Sequence, residues 1–353
     1  MALKDLRTKI DRLDEKIVDL INRRTEIALR IGEVKKKLKR EIYAPDREKE
    51  VYRRITSLNK GPLPAAALKA IFREIMSGAI SLEKRLKIAY LGPPASFTHV
   101  ASMLKFGASV EYVPAGSIAD AFASVERGHA DYGVVPIENS IEGAVNYTLD
   151  MLVDSNLKIC SEIITDISHC LVGSGTLDSV TRIYSKVEVF GQCRSWILAN
   201  FPKAELLEVS STSKAAELVR NEPSSAAIAS ELAASLYGVK ILERFIEDSP
   251  HNITRFLVVG KSIPKRTGHD KTSVMISIKD RVGGLHDVLV PFRDNNINLT
   301  KIESRPSRRK AWDYYFFVDL RGHCRDRKVK KALNELEEHC EFVKLLGSYP
   351  QSE

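Results

Sequence analysis

The stretch Val134-Val135-Pro136-Ile137-Glu138-Asn139-Ser140 runs from apolar residues into an acid, an amide and a hydroxyl. Residues 130–135 read as a buried strand, and residues 141–153 carry apolar side chains at helical spacing, so the polar triplet falls at a strand-to-helix corner. Such a corner offers unpaired N–H groups and the positive end of a helix dipole. Asn139 or Ser140 can cap the helix there, face an anionic ligand, or do both. The spacing of Glu138 allows either a site acid or a carboxylate that braces the fold.

A second set of chemically capable residues lies near the start. Leu3, Leu6, Ile10, Leu13, Ile17, Leu20, Ile27, Ile31, Val34 and Leu38 alternate steps of three and four, interrupted once, by Arg24. The seam predicts one helix of roughly 50 Å, too long for a small domain to cover unless a partner chain packs along it, so a helical dimer is expected. A guanidinium buried in that seam needs an anionic partner, and a ligand carboxylate would supply it. Lys35 follows eleven residues later at nearly the same angular position, so both cations can point into one site. Arg7 lies about 42 Å from Lys35 along the axis and could join them only from an antiparallel partner. A second helix is expected after Tyr43-Ala44-Pro45-Asp46, with Arg47 and Glu48 in its first turn, and a third from Pro64 to about Lys84. Glu83 continues the apolar Phe72-Met76-Ala79 line, where desolvation should raise its pKa and let it donate a hydrogen bond.

With Arg7, Arg24, Lys35, Arg47, Glu48 and Glu83 at these spacings, residues 1–86 resemble the all-helical chorismate mutase domain. The resemblance implies an intertwined dimer in which Arg7 reaches across to its neighbour, Arg24 and Arg47 hold substrate carboxylates, Glu48 belongs to the same substrate site, and Lys35 with Glu83 contacts the ether oxygen. A pericyclic rearrangement needs no nucleophile, only a compact conformer and stabilisation of charge developing on that oxygen. Ala44, Ala79 and Glu83 depart from relatives that carry Asp, Ser and Gln there.

Two further corners, Gly92-Pro93-Pro94-Ala95-Ser96-Phe97-Thr98-His99 and Ser210-Ser211-Thr212-Ser213, could cradle an anion together with the first. Add His169-Cys170-Leu171, Gln192-Cys193 and Asn252-Ile253-Thr254-Arg255-Phe256, and residues 87–264 resemble prephenate dehydratase along their whole length. That family implies two α/β lobes like those of periplasmic binding proteins, with the site in the cleft. Thr254 inherits the leading catalytic role, Asn139, Ser140, Gln192, Ser211 and Thr212 line the site, and Arg255 anchors a carboxylate. Ala95 stands where a glycine is usual, and Lys186-Val187 where some relatives have His-Pro.

From Thr272 the pattern strand, helix, strand, strand from Trp312, helix, strand is the split βαβ, ferredoxin-like arrangement. Asp280-Arg281-Val282-Gly283-Gly284-Leu285-His286 and Glu303-Ser304-Arg305-Pro306 resemble the two effector motifs of the phenylalanine-binding ACT domain, over residues 272–348. Gly284 and His286 replace the usual Ala and Val. Asn295-Asn296 and Arg308-Arg309-Lys310 read as solvated loop residues.

Composition narrows the partners. Net charge is +8, and residues 1–60 hold 18 Lys/Arg against 11 Asp/Glu. Only Tyr43 and Tyr52 are aromatic there, which leaves no stacking platform or reader motif for nucleic acid. No run reaches membrane-spanning length and the start lacks a secretory pattern, so a cytoplasmic protein is expected. Cys160, Cys170, Cys193, Cys324 and Cys340 are odd in number and never in a C-x-x-C pair, against a disulfide framework or a zinc site. The chain is therefore expected to be multidomain: an all-α three-helix dimer, a two-lobed α/β segment and an α+β ferredoxin-like ACT domain. It should convert chorismate to prephenate and then to phenylpyruvate under feedback by L-phenylalanine, as a homodimer or higher homo-oligomer with no metal or organic cofactor. The competing reading is a non-catalytic aromatic-ligand sensor with a helical dimerisation module.

Overall fold

The computed structural model describes residues 3–38, 41–278, 281–307 and 314–352; Asp280, the Arg308-Arg309-Lys310 run and the Trp312 strand start lie outside them. The chain forms two compact units, one made of the residues up to Leu86 with Lys105–Glu111, the other of Lys87–Leu104 with Tyr112 onward.

In the first unit the heptad-like seam folds into one helix, α1 (Leu3–Lys37), whose 35 residues span about 52 Å. No residue of α1 is buried. Leu13 and Ile17 are 57% and 52% exposed, so the apolar seam has no cover within the described chain. α2 (Pro45–Leu58) begins with proline at its first turn, where the missing N–H costs nothing, and α3 (Ala65–Glu83) ends on the acid singled out above.

The second unit alternates β1 (Lys87–Leu91), α4 (Phe97–Phe106), β2 (Glu111–Ala115), α5 (Ile118–Glu126), β3 (Tyr132–Asn139), β4 (Gly143–Ala144), α6 (Asn146–Asp154) and β5 (Lys158–Asp166). The chain then crosses to a second lobe: β6 (Cys170–Gly173), β7 (Arg182–Ser185), α7 (Val187–Gln192), α8 (Arg194–Asn200), β8 (Glu205–Glu208), α9 (Thr212–Leu218), β9 (Ser225–Ala229), α10 (Glu231–Tyr237) and β10 (Lys240–Arg244). It returns through β11 (Ile253–Gly260). The two crossing segments are tied to each other, Ile167 N–H to Asn252 O at 2.7 Å and Ile246 N–H to His169 O at 3.1 Å. Two lobes joined by two paired crossings are the periplasmic-binding-protein arrangement. One expectation changes here. Asn139 is the last residue of a strand that turns into the short β4, and the helix starts only at Asn146, so the polar triplet ends a strand and does not open a helix.

The C-terminal elements are β12 (Asp270–Ile278), α11 (Gly284–Asp294), β13 (Leu299–Pro306), β14 (Tyr314–Arg321), α12 (Arg327–His339) and β15 (Cys340–Pro350), in the ferredoxin-like order expected. Among the described residues ten strands form one sheet, with path β13-β14-β12-β15-β5-β11-β3-β1-β2 and β4 beside β3; β10-β6-β9-β7-β8 form the other. The ACT strands thus continue the first lobe's sheet. The junction is narrow, because β15 and β5 pair in parallel at Gly347 and Ile159.

Gly347 leaves no room for a side chain, since a Cβ there would overlap the Ile159 carbonyl oxygen and stand 2.7 Å from the Ile159 Cβ. Backbone, unlike a flexible side chain, cannot step aside. Gly347→Ala is expected to cost about 1–3 kcal/mol, read as a lower thermal unfolding midpoint; an unchanged midpoint would show that the seam tolerates a methyl group.

Candidate active sites

The α1–α3 helices, with Lys105, Phe106 and Val110, line an open cavity of about 300 Å³ whose lining includes Arg24, Lys35, Arg47, Glu48 and Glu83. Five of the six residues singled out by spacing therefore converge, and Arg7 lies outside the lining, as an axial offset of about 42 Å requires. Lys35 Nζ donates to the Ile42 carbonyl at 2.6 Å, and Arg47 pairs with Glu50 at 2.5 Å. Glu48 accepts from Tyr43 at 2.8 Å and Tyr52 at 3.3 Å and pairs with Lys105 at 2.8 Å. Burial, with Arg47 nearby, lowers the Arg24 pKa. Burial raises that of Glu83 against the opposing pull of Lys35. Glu83 Oε2 is buried with no hydrogen-bond partner among the described residues, and its carboxyl lies where a Cβ on Gly32 would be. Sequence reasoning missed Gly32, Tyr43 and Lys105 as parts of this site. Gly32 shares the face of Ala28 and Lys35, so its small size there was a usable signal; nothing in the local pattern marks Lys105.

In the α/β unit, Thr254 and Asn139 are register partners on β11 and β3. Asn139 Oδ1 accepts the N–H groups of Ile141 at 2.9 Å and Glu142 at 3.0 Å, which fixes the orientation of its amide. Its Nδ2 then donates to Thr254 Oγ1 at 2.7 Å and to Asn252 Oδ1 at 2.8 Å. Because Thr254 Oγ accepts this bond, its own proton remains available. Asn252 Nδ2 donates to Gln192 Oε1 at 3.0 Å, His169 Nε2 lies 2.8 Å from the same oxygen, and Gln192 Nε2 donates to Glu142 at 3.3 Å. The cluster thus joins Asn139 and Thr254 of one lobe to Gln192 of the other, through Asn252 and His169 on the two crossing segments. Asn252 precedes Thr254 by two residues on an extended segment, a period that placed it on the same face.

The other residues fall differently. Ser140 Oγ donates to His251 O and accepts from Ile253 N–H, both at 2.9 Å, and so pins the turn to the start of β11. Ser211 caps α9 by accepting from Lys214 N–H at 2.9 Å, and Thr212 is buried; no described hydrogen bond joins either to the Asn139 cluster. Arg255 must be corrected. One residue beyond Thr254, it points from the opposite face of the strand and holds Glu162 at 2.8 Å, Asp319 at 2.6 Å and Tyr349 at 2.9 Å, so it is not an anchor in the cleft. Burial alone would lower its pKa, but Tyr349, Asp319 and Glu162 outweigh burial and raise it. Glu138 resolves the same way: it pairs with Lys301 at 2.9 Å and lies 3.8 Å from Arg255, a bracing carboxylate.

In the C-terminal elements, Gly283 takes a left-handed φ of 82° at the start of α11, a conformation that glycine adopts without strain. Gly284 is buried, Leu285 is 42% exposed, and exposed His286 contacts Asp287 at 3.2 Å. The second motif splits by the period of two. Ser304 and Pro306 are exposed, whereas Glu303 lies 3.9 Å from Lys301 and Arg305 clasps Asp150 of α6 in a bidentate pair at 2.7 and 2.8 Å. The Arg305 guanidinium is already committed, which corrects its expected role on an effector. No described hydrogen bond or ion pair joins the two motifs.

Residues 6–84 match the model for chorismate mutase type II, residues 88–264 that for prephenate dehydratase, and residues 272–338 that for the ACT domain. The bifunctional chorismate mutase/prephenate dehydratase of Aquifex aeolicus is 50% identical over 355 residues, covering 99% of this chain and 98% of the relative. That of Pseudomonas aeruginosa is 44% identical over 357 residues, covering 99% and 98%. The crystal structure of a prephenate dehydratase in complex with L-Phe from Arthrobacter aurescens superposes with a TM-score of 0.70 at 34% identity, over 75% of this chain and 90% of that one. No helix of the described residues is long and apolar enough to cross a membrane. Matches to two enzyme families in tandem, in relatives aligned nearly end to end, weigh against the non-catalytic sensor, and the chain belongs to the bifunctional chorismate mutase/prephenate dehydratase family, with an ACT domain at its C-terminal end.

Proposed function

We propose that the two steps of phenylalanine biosynthesis run at the two residue sets described above. The observation that carries the reading is the helical cavity, where Arg24, Lys35 and Arg47 meet Glu83, whose buried Oε2 has no hydrogen-bond partner among the described residues. In the first step the ether C–O bond of chorismate breaks as a C–C bond forms. Arg24 and Arg47 hold the two carboxylates in the compact conformer, Glu48 lines the same site, and Lys35 with protonated Glu83 donates to the ether oxygen as charge develops. In the second, the ring carboxylate of prephenate leaves as CO2, its bonding electrons aromatise the ring, and the ring hydroxyl departs with a proton as water. Thr254 supplies that proton, because Asn139 donates to its oxygen and leaves its O–H directed to the substrate. Asn139 and Gln192 orient the substrate, and Ser140, Ser211 and Thr212 shape the cleft around it.

A second copy of the chain covers the exposed α1 seam and delivers Arg7 into the neighbouring cavity, making the protein a homodimer or a higher homo-oligomer built on one. L-Phenylalanine is the effector. Its carboxylate meets the N-terminus of α11 beside Gly283, Gly284, Leu285 and His286, with Ser304 and Pro306 on the open face of β13. Glu303 and Arg305 then act behind that face, with Lys301, on Glu138 and Asp150. The cytoplasm is the compartment proposed.

Three measurements test these assignments. Glu83 must be protonated to donate, so mutase activity should be full below its raised pKa and fall as pH rises through it; in Glu83→Gln, a permanent donor, this alkaline fall should disappear, and a profile like that of the wild type would remove Glu83 from the reaction. Mixing Arg7→Ala with Arg24→Ala chains should restore about a quarter of the wild-type mutase rate, since half of the dimers are mixed and each of those holds one intact site; no recovery after exchange of subunits would reject the shared site. Thr254→Ala should lower the dehydratase kcat by about 100-fold or more with KM little changed, and full turnover would reject Thr254 as the donor.

A further inference from the structure

The chain of amides that aims Thr254 has a second end, and that end is a histidine. The orientation of each amide follows from the one before it. Backbone N–H groups of Ile141 and Glu142 fix Asn139, Asn139 fixes Asn252, and Asn252 presents its NH2 to Gln192 Oε1. The oxygen of Gln192 therefore also faces His169, and an oxygen can only accept, so the imidazole nitrogen 2.8 Å away must carry the proton. His169 is 1% exposed, and its Nδ1 is buried with no hydrogen-bond partner among the described residues. Burial lowers its pKa, against the raising effects of Gln192 and Glu247, and this keeps the ring neutral. The backbone N–H of His169 donates to Glu247 at 2.9 Å, and Phe97 packs edge-on against the ring at 5.3 Å between ring centres. The ring is thus held in place with Nε2–H directed at Gln192.

We propose that His169 is a positioning residue for the dehydratase reaction: its Nε2–H, with Asn252, locks the Gln192 carboxamide so that the NH2 end faces the cleft as a donor to an anionic oxygen of prephenate. The Glu142 carboxylate at 3.3 Å marks the direction in which that NH2 meets a negative oxygen. Without the lock the carboxamide is free to rotate by half a turn. Its oxygen would then face the dianionic substrate, and its NH2 would face that of Asn252, exchanging two attractions for two repulsions. The inference rests on the reading of Asn139, Gln192 and Thr254 as the dehydratase site.

The test uses the full-length chain, with its chorismate mutase rate as an internal measure of folding and its prephenate dehydratase rate as the readout. Two substitutions differ only in where a donor is placed: the amide nitrogen of His169→Gln can stand where Nε2 does, whereas that of His169→Asn stands nearer Nδ1. Gln192→Ala and His169→Asn should each lower dehydratase kcat/KM by about 100-fold at unchanged mutase rate. His169→Gln should recover most of the loss, and His169→Asn in the Gln192→Ala background should cost nothing more, because the histidine acts only through that amide. Equal damage from His169→Gln and His169→Asn, or a full additional loss in the double variant, would overturn the proposal in favour of a packing role. Loss in Gln192→Ala with full activity in His169→Asn would overturn it alone, while full activity in Gln192→Ala would remove Gln192 from the site and the underlying reading with it.

Discussion

The Arg255 guanidinium, buried on the back of β11, is the interaction on which the α/β unit depends. It engages Glu162 of β5, Asp319 of β14 and Tyr349 of β15, while Glu162, whose side chain is fully buried, also accepts from Lys271 of β12 at 2.7 Å. Taking such charges out of water is costly, and only full pairing offsets it. The arrangement therefore tolerates one register. A slip of β11 by one residue would turn Arg255 into the cleft and set Thr254 against Glu162, leaving a buried carboxylate without one of its two cations. The position of the Thr254 hydroxyl is thus enforced from the opposite face of its own strand.

The same logic extends to the elements around the cleft. Lys301 holds Glu138, one residue before Asn139, and Arg305 holds Asp150 on α6. Lys344 donates to the Leu152, Val153 and Ser155 carbonyls at 3.0, 2.6 and 2.8 Å, satisfying the open C-terminal end of α6 with a cation where the helix dipole favours one. Thr148 of α6 in turn donates to Pro136 of β3 at 2.6 Å. Strand β13 alternates Lys301, Glu303 and Arg305 toward these groups with Ile302, Ser304 and Pro306 toward the exposed side. The exposed side and the groups that brace Glu138 and Asp150 are thus carried by one strand.

How much of this was legible beforehand depended on the range of the interaction. Helix α1, the convergence of Arg24, Lys35, Arg47 and Glu83, and the order of the C-terminal elements all follow from periods within one segment. The period of two could also have separated Thr254 from Arg255 and Ser304 from Arg305, since neighbours on a strand face opposite ways. It could not name Asp319 or Asp150 as the partners, because those lie 64 and 155 residues away and nothing local points to them. The helix expected directly after Asn139 failed for a related reason. The apolar spacing of residues 141–153 is genuine from Asn146 onward, but Gly143, with its left-handed φ of 81°, makes a turn that lets the chain pair briefly as β4 first. The association of Lys105 with Glu48 is equally invisible, since Lys105 closes a helix whose pattern belongs to the α/β segment.

The two residue sets also differ in charge. On the assignment proposed above, the cavity of the first unit gathers cations around a substrate that keeps both carboxylates through the reaction, so holding them favours reactant and transition state alike while the donors at the ether oxygen discriminate between the two. The cluster around Asn139 is neutral apart from the Glu142 carboxylate at its edge: Asn139, Asn252, Gln192, Thr254 and a histidine kept uncharged by burial. A guanidinium clamped on the carboxylate that departs as CO2 would stabilise the charge that the reaction must disperse, binding the ground state more tightly than the transition state. Facing Arg255 away from the cleft avoids that penalty. On the assignment proposed for Thr254, the cation nearest to it in sequence serves the reaction by holding the strand, and leaves the reacting carboxylate to weaker, neutral donors.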